Sequence, residues 1–188
     1  MPSVMSYNIR YGGVGKQREL AEVIARVGPD VVLLQEATHP DVVAHIAASA
    51  GYAHYASRHA HSTGFLSRLP VKSHAWYQPR GARHAFLEVV FAEPDLRLYG
   101  LHLSAWFSKW SERRRHYEIR ALLEGIKEHQ HGFHLLLGDF NALAPGERLS
   151  VEKMPRWIRA MVWVSGRDIA RDVTMDQPWV EMIAKCRE

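Results

Sequence analysis

His134-Leu135-Leu136-Leu137-Gly138-Asp139-Phe140-Asn141 is the stretch whose reading decides the fold. A short continuous apolar run of this kind reads as a buried strand. The carboxylate that follows it falls at the strand's C-terminal end. Taken singly, an aspartate in that place is more often a turn or cap residue. The same arrangement recurs, however, toward the N-terminus. Pro2 to Asn8 reads as a strand that closes on an asparagine, and Val31-Val32-Leu33-Leu34 runs into Gln35-Glu36. Leu96 to Leu103 reads as a strand with His102 near its end. In open α/β sheets, ligands bind outside the carboxyl ends of the strands. Asn8, Glu36, His102 and Asp139 are therefore placed where adjacent strands bring them to one edge and one cleft.

Helices separate these strands. Leu20, Val23, Ile24 and Val27 form one apolar stripe, and Gly28-Pro29 stops the helix. Pro40 is tolerated in a first turn, and the stripe Val42, Val43, Ile46 and Ala50 is closed by Gly51. From Gly51 to Ser104 the pattern changes to strands with short breaks. Tyr52 to Ser57, Thr63 to Ser67, Val71 to Tyr77 and His84 to Phe91 precede the strand that bears His102, an antiparallel meander signal. Ser111 is the expected cap of a long helix with Ile119, Leu122, Leu123 and Ile126 on its apolar face. Short helices are expected over Pro155 to Val162 and Pro178 to Ala184.

A chain of 188 residues, 47% of them apolar, is long enough for one sizeable core, so residues 1–188 are read as a single domain. The lone Cys186 has no partner for an internal disulfide, and no thiol cluster is present to hold zinc. No signal-like or membrane-spanning apolar run occurs, so the expected location is cytoplasmic, with no membrane partner. A net charge of +4 and a pI near 9.3 suit an anionic substrate. The run Arg113-Arg114-Arg115 is read as a solvated helix face.

With these residues in view, Tyr7-Asn8-Ile9-Arg10, Leu34-Gln35-Glu36, Gly64-Phe65-Leu66-Ser67-Arg68, Leu101-His102-Leu103 and Gly138-Asp139-Phe140-Asn141 resemble the successive motifs of the endonuclease/exonuclease/phosphatase superfamily, in its order. The Gly-Asp-Phe-Asn quartet is the most specific of them. The resemblance implies an α/β fold of the DNase I-like type, a four-layered α/β/β/α sandwich. It also implies a divalent-metal-dependent hydrolase of phosphodiester or phosphomonoester bonds. Glu36 is then the carboxylate ligand of Mg²⁺ or Mn²⁺, with Asn8 beside it offering an amide oxygen. His102 would donate to a non-bridging phosphate oxygen. Asp139 would orient or deprotonate the attacking water, and Asn141, two residues on along an extended segment, would contact the phosphate. Arg115 and Glu118 resemble a recurring pair of the family, but a surface ion pair at i, i+3 accounts for them equally well, and they are left outside the site.

The family ends on a strand with a Ser-Asp-His signature, and this sequence has no histidine after His134. The expectation is a C-terminally incomplete domain, read as a truncated form in preference to a natural short one. Loss of a general base typically costs ~10²- to 10⁴-fold, so this chain is expected to be a poor catalyst. Two other classes remain open. One is a non-catalytic binding or scaffold module that keeps the fold. The other is a nucleic-acid binder using the basic charge, with Trp106 and Trp110 as stacking surfaces. The substrate stays open among DNA, RNA, lipid headgroups and small phosphoesters, and so does the oligomeric state. His54, His59 and His61 are irregularly spaced and read as exposed loop histidines.

Overall fold

The computed structural model describes residues 2–104, 109–126, 133–141, 155–157 and 159–160. Its contacts divide the chain into two compact units, Met1–Leu103 with Leu122–Phe140, and Ser104–Ala121 with Asn141–Glu188.

The first unit is built on two four-stranded sheets. One has the order β1-β2-β4-β3, from strands Val4–Asn8, Val31–Gln35, Thr63–Ser67 and His54–Ser57. The other has the order β5-β6-β7-β8, from Val71–Tyr77, Phe86–Phe91, Arg97–His102 and His134–Asp139. The strands expected between Gly51 and Ser104 thus form a meander only from β5 to β7. After β4 the chain leaves the first sheet, because β4 is already paired on both sides, with β2 and β3. Among the described residues two pairings are parallel, β1 with β2 and β7 with β8.

Alternation along β2 shows how the layers arise. Val32 and Leu34 join the cluster made with Leu20, Ile24, Val43 and Ile46, while Val31 and Leu33 join Phe65, Leu87, Val89 and Leu98 between the sheets. The former set comes from α1 (Gln17–Val27) and α2 (Pro40–Ala50), which cover the outer face of the first sheet. Both helices end on a left-handed glycine, Gly28 and Gly51, whose N–H returns to the last turn as the sequence suggests. Between the sheets, Leu33 packs so closely over Gly100 of β7 that a Cβ there would collide with its side chain. Glycine in β7 is thus what allows the sheets to approach at this point.

The third helix, α3 (Lys109–Gly125), begins two residues before Ser111, which therefore lies inside it and is not its cap. Its last turn supplies the fourth layer. Leu122, Gly125 and Ile126 lie over Tyr77, Phe86, Glu88 and Tyr99 of the second sheet and line with them an open pocket of about 90 Å³. Among its lining residues Glu88 accepts from Arg97 (2.8 Å) and from the Tyr99 hydroxyl (3.1 Å). Burial, with the adjacent Glu88 charge, pushes that hydroxyl up to about 12. The strand β8 is half-buried along its length where the sequence suggests full burial; it occupies an end of its sheet. The architecture is the expected α/β/β/α sandwich.

In the second unit, helical backbone is present at residues 156, 157, 159 and 160, within one of the two short helices expected near the C-terminus. The other, Pro178 to Ala184, and the side chains of Trp106 and Trp110 lie outside the described residues. Among the described residues no helix is long and apolar enough to cross a membrane.

Candidate active site

Parallel pairing sets the ends of β1 and β2 side by side in one sheet and those of β7 and β8 side by side in the other. Asn8 closes β1 opposite Gln35 of β2, so Glu36 follows directly beyond that pair. His102 closes β7 directly opposite Asp139, the last residue of β8. One oxygen then joins the two sheets. The Asp139 Oδ2 accepts a hydrogen bond from the Asn8 side-chain amide at 3.2 Å and lies 4.0 Å from His102 Nε2. Asp139 keeps 31% of its side chain exposed, whereas His102 keeps 10%. The carboxylate is open to water and the imidazole is held among neighbours.

Glu36 and Asn8 are tied by the turn after β1. The Arg10 N–H donates to Asn8 Oδ1 at 2.9 Å, and the next amide, of Tyr11, donates to Glu36 Oε2 at 2.6 Å. The two amides point this way because Arg10 and Tyr11 both have positive φ, of 51° and 50°. Glu36 has a positive φ too, of 58°, and the Thr38 N–H closes a tight turn onto its carbonyl. Such conformations cost non-glycine residues of order 1–3 kcal/mol each, and they cluster where side chains are held for function. The charge-assisted bond from Tyr11 to Glu36 and the neutral one from Arg10 to Asn8 help to maintain this backbone.

Gly138 explains the first residue of the Gly-Asp-Phe-Asn quartet. Its φ is 148°, and a Cβ on it would run into the Leu101 backbone carbonyl of β7. Only glycine lets β8 lie this close to β7 at the register that sets Asp139 against His102. Asn141 is different from its expected state. The extended conformation ends with β8 at Asp139, and Asn141 has φ 49°, a region asparagine tolerates better than most residues. Alternation along an extended segment therefore does not set its side chain on the Asp139 side; Asn141 belongs to the second unit.

Arg115 and Glu118 need a larger correction. Neither is on the surface, with Arg115 at 0% and Glu118 at 2% exposure. Glu118 accepts from both the backbone N–H (3.2 Å) and the hydroxyl (3.0 Å) of Ser104, while Arg115 donates to the Ser104 carbonyl at 2.7 Å. Together they clamp the backbone two residues after His102. Within the arginine run Arg113 is exposed, Arg114 half-buried and Arg115 buried, so the run is not one solvated face. The signal lies in the sequence, where Arg115 and Glu118 resemble a family pair; their burial is not legible from spacing.

Among the described residues no group of three or more His, Cys, Asp and Glu side chains gathers as a metal cage. That is compatible with Mg²⁺, which takes one or two carboxylates and completes its shell with waters and substrate phosphates. Glu36 and Asn8 supply hard oxygen donors of that kind. His39 and His59 meet edge to face at 6.5 Å without forming such a group.

Two packed sheets flanked by helices, with polar residues at the C-terminal strand ends, define the DNase I-like class of α/β sandwich. Residues 5–167 match the model of the Endonuclease/Exonuclease/phosphatase family, and the chain belongs to that family. Solved structures resemble it at low identity. D. rerio TDP2 complexed with single strand DNA product is 24% identical at a TM-score of 0.61, over 76% of this chain and 62% of that one. The endonuclease/exonuclease/phosphatase from Beutenbergia cavernae is 20% identical at 0.60, over 86% and 53%. The 3′ phosphatase NExo from Neisseria bound to product DNA hairpin is 16% identical at 0.57, over 78% and 60%. The chain thus spans less than two thirds of the length of these structures. No curated protein sequence matches it.

Proposed function

We propose that residues 1–188 belong to one domain that hydrolyses phosphoester bonds by direct attack of water, with Mg²⁺ or Mn²⁺ held by Glu36 and Asn8. The observation that carries this reading is the single Asp139 oxygen shared between Asn8 of one sheet and the neighbourhood of His102 of the other. Bound at Glu36, the cation would neutralise charge on the phosphate and on the departing alkoxide. Asp139, open to solvent, holds the attacking water and accepts its proton as the bond to phosphorus forms. Asn8 fixes the carboxylate for that task through its 3.2 Å hydrogen bond. His102 donates to a non-bridging phosphate oxygen, where charge must be held throughout the displacement.

Nucleic acid is the favoured substrate class. Support comes from the DNA bound to the D. rerio and Neisseria structures and from the basic charge of the chain, +4 at neutral pH. The expected location is cytoplasmic.

A thermal melt with and without Mg²⁺ tests the reading. A ligand that binds only the folded state at 100 times its Kd stabilises by ~2.7 kcal/mol. A rise in Tm that disappears in Glu36→Ala is expected, together with metal-stimulated cleavage of single-stranded DNA. A melt indifferent to Mg²⁺, with Glu36→Ala behaving as the parent, would leave a non-catalytic module that keeps the fold.

A further inference from the structure

His102 has a partner that the reading above does not use. The imidazole of His84 is stacked on that of His102, with centroids 5.0 Å apart and planes within 5° of parallel. His84 belongs to the connection between β5 and β6, and that connection is braced. Pro79, Ala82 and Ala85 are buried, so His84 stands between two anchored alanines. Gln78 donates from its amide to the Ala82 carbonyl at 3.1 Å, and the Ala82 N–H returns to the Pro79 carbonyl at 3.0 Å. A loop bonded to itself and pinned in this way presents a ring at a fixed place.

The stack matters because a histidine ring turns easily about its last torsion, whose preferences are broad. Strand β7 fixes where the His102 Cα lies but not the plane of its ring. The Asp139 carboxylate approaches one edge, at Nε2, and a contact of that kind holds an edge of the ring more than its face. A flat partner over the face removes that freedom. A donor that is to meet one particular phosphate oxygen has to be held within about 10–20° of its working direction.

We propose that His84 is a positioning residue, whose stacked ring fixes the plane of His102 so that its N–H is aimed at the bound phosphate. The proposal rests on the role assigned to His102 above. Through that stack the 78–85 connection, on which Arg80 and Arg83 are exposed, comes beside His102.

The test uses the full chain labelled at its histidine rings, followed by NMR during titration with inorganic phosphate in the presence of Mg²⁺. Four proteins are compared: the parent, His84→Ala, His84→Phe and His102→Ala. In His84→Ala the His102 ring signals are expected to move and broaden, and phosphate affinity to fall ~3- to 10-fold, the usual worth of one aromatic contact. His84→Phe, which keeps a flat ring, should restore affinity to within about 2-fold of the parent on the same basis. Both variants should melt close to the parent, since a merely structural role would lower Tm and affinity together. If His102→Ala weakens phosphate binding while His84→Ala leaves the His102 signals and the affinity untouched, the positioning role is wrong and the functional reading stands. A folded His84→Phe that binds as weakly as His84→Ala also overturns the stacking role. Phosphate binding that ignores His102→Ala is a failure of the functional reading itself.

Discussion

Asp139→Asn is expected to slow metal-stimulated phosphoester hydrolysis by ~10²- to 10⁴-fold, the usual contribution of a positioned general base. The substitution keeps the shape of the side chain. An asparagine oxygen can still accept the hydrogen bond that Asn8 donates at 3.2 Å, so the junction between the sheets survives. What is lost is the negative charge and the capacity to take a proton from water. Hydrolysis of an activated phosphodiester with and without Mn²⁺, measured beside a thermal melt, separates the two effects. A variant that melts like the parent and hydrolyses as fast would remove Asp139 from the chemistry.

Gly138→Ala is expected to have the largest effect on stability. At φ 148° alanine is strained whatever the space, and here the space is filled by the backbone of Leu101 in the paired strand. A flexible side chain could move aside, but this carbonyl belongs to the ladder that also holds Gly100, Leu101 and His102. Backbone strain and overpacking each cost about 1–3 kcal/mol, so a combined loss near 3 kcal/mol or more is expected. For a chain of this size that lowers Tm by roughly 6–12 °C. Urea unfolding of both proteins measures it directly, and a loss below about 0.5 kcal/mol, the range of inconsequential surface changes, would mean that β8 does not lie as described.

The sequence carried the layers further than it carried the connections between them. Apolar runs such as Val31 to Leu34 and stripes such as Val42, Val43, Ile46 announce burial, because period and burial are the same physical fact in a strand or helix. Four of the five candidate residues lie at or directly beyond strand ends, as their places after those runs imply. The division of the central strands between two sheets was not legible, since pairing partners far apart in sequence leave no local mark. Asn141 shows the limit of periodicity: an argument from alternation fails as soon as the strand ends. Arg115 and Glu118 show another limit. A charged pair at helical spacing reads as solvated, and only the three-dimensional structure reveals that both side chains turn inward to clamp Ser104. His84 sits in a stretch that reads as the start of a strand, yet β6 begins at Phe86 and leaves His84 in the braced loop.

The account rests on a divalent cation settling at Glu36 and Asn8, and paramagnetic broadening of backbone amide signals by substoichiometric Mn²⁺ tests that most directly. The expected result is loss of the signals of residues 8–11 and 36–38 before any others, and their return in Glu36→Gln. Broadening centred on His54, His59 and His61, unchanged by Glu36→Gln, would contradict it.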